Sequence, residues 1–191
     1  TTGQGIGTLN SDLTINQQTY SELDGVKILL WNSLPGELIT KFQIITQKPH
    51  LIEGVALEFE KQSNLRVVPK DAQFLSTSPW QILDEKAELA AKSNILISLF
   101  KHLSHTHPIN HQLISNIPVH QSPNNYFYRN KMEYSLYYNH ETEKIQLAVH
   151  YRESHRKMPI TNSSLELPAI LIRANQIIDE LNQTKQEART F

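Results

Sequence analysis

The hydrophobic period of this chain changes three times, and that change limits its fold more than any other feature. Up to about residue 62 the apolar residues either run together or recur at every second position. Val26 to Trp31 is apolar apart from Lys27, and Leu38, Thr40, Phe42 and Ile44 share one side of residues 37–47. Val55, Leu57 and Phe59 alternate with Ala56, Glu58 and Glu60. Period two marks a half-buried strand. Leu34-Pro35-Gly36-Glu37 and Lys48-Pro49-His50 punctuate these runs as turns. Short strands in succession with no helical period predict a small closed barrel, because closure removes exposed edges.

The period then becomes helical. Ser78-Pro79-Trp80-Gln81 fits a capping box, with Ser78 as N-cap and Pro79 at the first helical position. A helix is expected from there to about His102, since no Gly or Pro interrupts it. Leu83, Ala87, Ala90 and Ile97 form one stripe, and Leu89, Leu96, Phe100 and Leu103 form another. A helix apolar on more than one side needs more than one neighbour.

After a loop rich in His, Pro and Asn (102–125), period two returns. Tyr126, Tyr128, Met132, Tyr134 and Leu136 alternate with Phe127, Arg129, Lys131, Glu133 and Ser135. Asn139 to Glu143 is a turn, and Ile145, Leu147 and Val149 begin the returning strand of a hairpin. Ile170, Ala174, Ile177, Ile178 and Leu181 then keep a final helical stripe. The expected class is α+β, divided into a barrel (1–62), a linker and amphipathic helix (63–103), and an α+β domain with an antiparallel hairpin (104–191).

Composition excludes several chemistries. The 191 residues contain no cysteine, which removes disulfides, thiolate metal sites and a thiolate nucleophile. That absence is compatible with the cytoplasm, the expected location. No apolar run approaches the ~18 residues of a spanning helix, so no membrane is expected as partner. His102, His105, His107 and His111 cluster without a carboxylate or thiol among them, in a loop marked by Pro108 and Asn110. A solvated loop accounts for them, and no metal is expected. Gly3-Gln4-Gly5-Ile6-Gly7 lacks a preceding strand and the third-glycine spacing of a dinucleotide fingerprint. Neither Ser33 nor Ser78 sits in a nucleophile elbow. No catalytic residue is expected.

Eighteen basic residues against nineteen acidic leave a net charge of −1, so any polyanion site has to be local. On a strand, Arg129 and Lys131 would point the same way about 7 Å apart, close to the spacing of successive phosphates. Tyr126 and Tyr128 flank them and could stack on a base. Arg152, His155, Arg156 and Lys157 follow the hairpin return as a second basic strip, where the cations would neutralise phosphates and His155 would hydrogen-bond a nucleic acid. The competing reading is a charged solvent face with Glu133 as a salt-bridge partner.

These residues also carry a resemblance. Tyr128-Arg129-Asn130-Lys131-Met132-Glu133-Tyr134 resembles the YRNK-x-E-aromatic signature of the S-adenosylmethionine-dependent RNA uracil-5-methyltransferases, which lies in their central RNA-contacting domain. Ser154-His155-Arg156 is similar to the family's later Ser-His motif. Gly5-Ile6-Gly7, Leu34-Pro35-Gly36-Glu37 and Ser63-Asn64-Leu65-Arg66-Val67-Val68-Pro69 together resemble the TRAM module, a small OB-like RNA-binding barrel that starts many members. Asp71 to Lys92 is similar to the linker and helix that follow it.

The chain departs from the family in two ways. Lys70-Asp71-Ala72-Gln73-Phe74-Leu75-Ser76-Thr77-Ser78-Pro79 stands where many members carry an iron–sulfur cluster, and has no thiol for one. Leu165-Glu166-Leu167-Pro168 lacks the further ligand expected there. There is also no Gly-rich cofactor motif, and no cysteine to add to C6 of uracil. No cofactor is expected in this chain; S-adenosylmethionine is implied for a parent enzyme.

The expectation is therefore the RNA-recognition half of such an enzyme, a fragment or a truncated relative. It would position rRNA or tRNA for a methyltransferase domain that packs on the 78–102 helix. The alternatives are a stand-alone TRAM-type RNA adaptor or chaperone without catalysis, and a protein-interaction scaffold docking through that helix.

Overall fold

A computed structural model describes residues 4–9, 12–15, 18–21, 25–110, 114 and 117–184. Strands and helices mix as the α+β class requires. The chain divides into two compact units, one built from Thr1–Val68 and Pro79–Val119, the other from Pro69–Ser78 and His120–Phe191. The stretch expected as a linker and helix, 63–103, is thus shared between them.

In the first unit, β1 (Gly5–Gly7), β4 (Lys27–Trp31), β6 (Leu51–Lys61) and β5 (Leu38–Lys48) form a sheet in that order, and β2 (Leu13–Ile15) pairs with β3 (Gln18–Tyr20) as a separate hairpin. The β4–β6 ladder is parallel and the others are antiparallel. Among the described residues no ladder joins β5 to β1, or the hairpin to the sheet. The hairpin meets the sheet through side chains instead. Tyr20, Leu13 and Ile15 pack around Ile28, Leu30, Ile52 and Ala56.

The alternation expected along β5 and β6 is altered by bulges. Phe42 pairs with Ala56, Lys41 with Glu58 and Ile39 with Phe59, so the register skips Leu57 on one strand and Thr40 on the other. Each extra residue reverses the face of everything beyond it. Ile39, Phe42, Ile44 and Phe59 therefore share the core with Ala56, while Leu38 and Leu57 are exposed. Gly54 lies where β5 leaves no room for a side chain on β6. A Cβ there would stand 2.3 Å from the Gln43 carbonyl oxygen.

The long helix starts later than the capping box predicts. Pro79–Ile82 is a 3-10 turn, and the residues after it run extended, pairing Leu83 with Arg66. Val67 donates to the Ile82 carbonyl and Asp84 to that of Leu65. Those backbone bonds hold the chain out of a helix until Asp84, which becomes the N-cap in place of Ser78. Its carboxylate accepts from the Lys86 and Ala87 amides, opening the α-helix Glu85–Leu103. None of that helix's residues is buried.

The second unit contains α1 (Phe74–Thr77), the antiparallel sheet β7 (Ser135–Asn139), β8 (Lys144–His150) and β9 (Lys157–Pro159), and a last helix, Pro168–Gln183. With Glu85–Leu103 as α2, this last helix is α3. It packs on β8, bringing Ala174, Ile178 and Leu181 against Ile145, Leu147, Val149 and Ile160. Asn182 clamps the start of β8, its side chain accepting from the Ile145 amide and donating to the Ile145 carbonyl. Ile177 is 43% exposed, outside this face.

The expected strand from Tyr126 is present only from Ser135. Phe127 has φ 56, a left-handed conformation that breaks an extended run. Residues 127–129 instead lie beside 164–167. Phe127 donates to the Ser164 carbonyl, Arg129 to that of Leu165, and Leu167 to that of Arg129. Asp71, 3% exposed, accepts from both the amide and the hydroxyl of Ser164. Gln73 donates to the Asn162 carbonyl. Residues 71–73 thereby anchor the loop on which 127–129 rests.

Candidate nucleic-acid interface

Two adjoining cavities open on the second unit and share Ser76 and His150. The first, about 390 Å³, is lined by Thr77, Arg129, Lys131, Met132, Glu133 and Ser135 among others. The second, about 510 Å³, is lined by residues 151–155, including Arg152 and His155. Four of the residues singled out from sequence, Arg129, Lys131, Arg152 and His155, thus line one pair of cavities.

Arg129 is held by neutral groups. Its guanidinium donates to the Thr77 carbonyl at 2.9 Å and approaches the Met132 sulfur at 3.7 Å. Its cation also stands 5.9 Å from the centre of the Tyr128 ring. The Nε of Arg152 donates to the Leu75 carbonyl at 2.8 Å. Both arginines therefore donate to carbonyls of α1, which orient each guanidinium.

Lys131 differs. It pairs with Glu133 at 2.8 Å on a fully solvated surface, and that hydrogen bond raises the ammonium's pKa while lowering the carboxyl's. A pair this exposed is held weakly and can exchange Glu133 for another anion.

His150 joins the two cavities and had no signal in the sequence beyond the end of an alternating strand. Its Nδ1 lies 3.2 Å from the His155 carbonyl oxygen, which can only accept, so Nδ1–H donates. In the neutral ring Nε2 then accepts from the Ser135 hydroxyl at 2.9 Å. Ser76, Thr77 and Leu75 also escaped sequence reasoning. They belong to a segment expected to be a linker, and α1 meets β8 only through the tertiary fold.

The remaining predicted residues lie outside the linings of these two cavities. Lys157 donates to the Leu136 carbonyl across the sheet, and Arg156 stands 5.2 Å above Tyr151. Tyr126 and Phe127 both face the Lys70 ammonium, at 4.3 and 5.1 Å from their ring centres. Tyr128 is 49% exposed.

Glu166, 1% exposed, accepts from the Tyr134 and Ser163 hydroxyls. Burial first, and then the Glu166 carboxylate, push the Tyr134 phenol above its usual range. Of the histidine cluster, His111 lies outside the described residues. The other three are exposed, and among the described residues no group of His, Asp or Glu is arranged to hold a metal. No helix described is long and apolar enough to cross a membrane.

No protein-family model matches the chain. The chain is similar to an uncharacterized RNA methyltransferase of Enterococcus faecalis (strain ATCC 700802 / V583), with 26% identity over 182 residues. That alignment takes in 94% of this chain and 39% of the relative, so the chain spans about two fifths of that protein's length.

Proposed function

We propose that this chain is the RNA-recognition portion of an S-adenosylmethionine-dependent RNA uracil-5-methyltransferase, and that the paired cavities follow an RNA backbone. The observation that carries the reading is one surface lined by Arg129, Lys131, Arg152 and His155, in a chain similar along 94% of its length to an RNA methyltransferase. Arg129 and Arg152, oriented by carbonyls, meet phosphates, while Lys131 exchanges Glu133 for one. Arg156 and Lys157 extend the positive surface, and Tyr126 and Tyr128 offer faces to unpaired bases. The first unit serves as a TRAM-type, OB-like module. Helix α2, with Leu99 53% and Leu103 37% exposed, offers its apolar side to a methyltransferase domain. The RNA is an rRNA or tRNA, and S-adenosylmethionine belongs to the catalytic domain.

The test is a filter-binding titration of structured RNA over a series of salt concentrations. Arg129→Ala with Lys131→Ala should weaken binding and lower the magnitude of the salt slope by about 1.4, for two lost contacts to a single strand. Unchanged affinity and slope would remove both residues from the interface. Lys131→Ala alone leaves the fold undisturbed, since the side chain is 78% exposed, and should lower the slope by about half as much.

A further inference from the structure

Phe127 combines two features that packing alone does not explain. It is a bulky aromatic residue in the left-handed region, with φ 56, and it is 43% exposed. L-residues with large side chains enter that region only at a cost, and a left-handed site open to solvent is normally filled by Gly or Asn. Here the conformation is imposed from outside. The Phe127 amide is tied to the Ser164 carbonyl and the Arg129 amide to that of Leu165, while Asp71 fixes Ser164. Backbone strain of this kind persists where the surroundings over-determine it, and it concentrates at binding sites.

The ring that results is neighboured by cations: Lys70 stands over Tyr126 and Phe127, and Arg129 beside Tyr128. Aromatic faces interleaved with cations complement a polyanion that carries flat π-faces, which describes an unpaired nucleotide.

We propose that Phe127 is a base-stacking residue, held in a strained backbone so that its ring receives an unpaired base of single-stranded RNA, with Lys70 and Arg129 taking the flanking phosphates. The inference rests on the RNA-binding reading above and adds to Tyr126 and Tyr128 a further stacking face, one whose position is set by a strained backbone.

The test compares a single-stranded oligouridine with an abasic oligonucleotide of equal length, which keeps the phosphates and removes the stacking faces. Phe127→Asn suits the left-handed backbone, and should cut affinity for oligouridine about five- to a hundredfold while leaving the abasic probe unchanged. Phe127→Trp should retain oligouridine binding. The melting temperature of Phe127→Asn should not fall. Equal losses on both probes, with a lower melting temperature, would make the ring structural and overturn the inference, as would no loss on either. Phe127→Gly provides the same comparison if the Asn variant fails to fold. A wild-type chain that binds both probes equally, with a salt slope that depends on Arg129 and Lys131, overturns stacking alone. A wild-type chain that binds neither overturns the RNA-binding reading as well.

Discussion

Glu37 and Arg66 come from two motifs far apart in sequence, Leu34-Pro35-Gly36-Glu37 and Ser63-Asn64-Leu65-Arg66, and they meet inside the first unit. The Glu37 side chain is fully buried and that of Arg66 is 11% exposed, with Nε 2.6 Å from the carboxylate. The Leu34 and Ser63 amides complete the carboxylate's shell, and Arg66 also donates to the side chain and carbonyl of Asn32. Burial opposes ionisation of Glu37, but the hydrogen bonds from Arg66, Ser63 and Leu34 outweigh it and hold the carboxyl below its usual range.

The pH dependence follows from that sign. A carboxyl depressed in the fold contributes stability that is complete above its unfolded pKa, about 4.3, and is lost as pH falls through the folded value. Glu37→Gln strands the Arg66 cation and should cost about 3–5 kcal/mol in urea unfolding at neutral pH. The gap between the melting temperatures of wild type and Glu37→Gln should narrow as pH is lowered below about 4.3. A gap that stays constant with pH would show that Glu37 is not the titrating group. Gly54 makes a steric case of the same kind. Gly54→Ala forces β5 from β6 at the Gln43 carbonyl and should cost about 1–3 kcal/mol by the same measurement.

Among the elements, the strands were read most reliably where one physical rule acted alone. Lys27–Trp31 forms because an apolar β-branched and aromatic run is bounded by turns. Pro35 and Gly36 close their turn because Gly36 takes φ 82, which glycine allows. The hairpin of β7 and β8 is present, but its first strand is shorter than the alternation from Tyr126 implied. Alternation needs a partner strand to become a ladder, and residues 127–129 find 164–167 instead. The register shifts along β5 and β6 were equally hidden, since period two does not reveal which residues the register will skip.

Helix α2 shows local signals in competition. Ser78 and Asp84 both suit an N-cap, and the backbone pairing of 65–67 with 82–84 selects the second. Asp84→Ala should cost about 1 kcal/mol, read from the melting temperature, whereas Ser78→Ala should cost none of the capping energy. Equal effects from the two substitutions would contradict this assignment of the cap.

For the molecule as a whole, a net charge of −1 leaves no general attraction for polyanions, so any salt-dependent RNA binding has to originate in a local surface. The cations that line the paired cavities were identified from their clustering, but for a partly mistaken reason. The sequence places Arg129 and Lys131 side by side on one strand and Arg152 in a second strip after the hairpin, yet Arg129 and Arg152 are both oriented by α1, a short helix from a segment expected to be a linker. His150, Ser76 and Phe127 had no such clustering to mark them.

Composition and periodicity were enough for the α+β class, the apolar stripe of α3 and the turns, because each depends on neighbours within a few positions along the chain. The bulged register of β5 and β6, the choice of helix cap, the clasp of Asp71 on Ser164 and the left-handed Phe127 all arise between segments tens of residues apart. Those are set by which backbone groups find partners on folding, and a linear pattern does not record that competition.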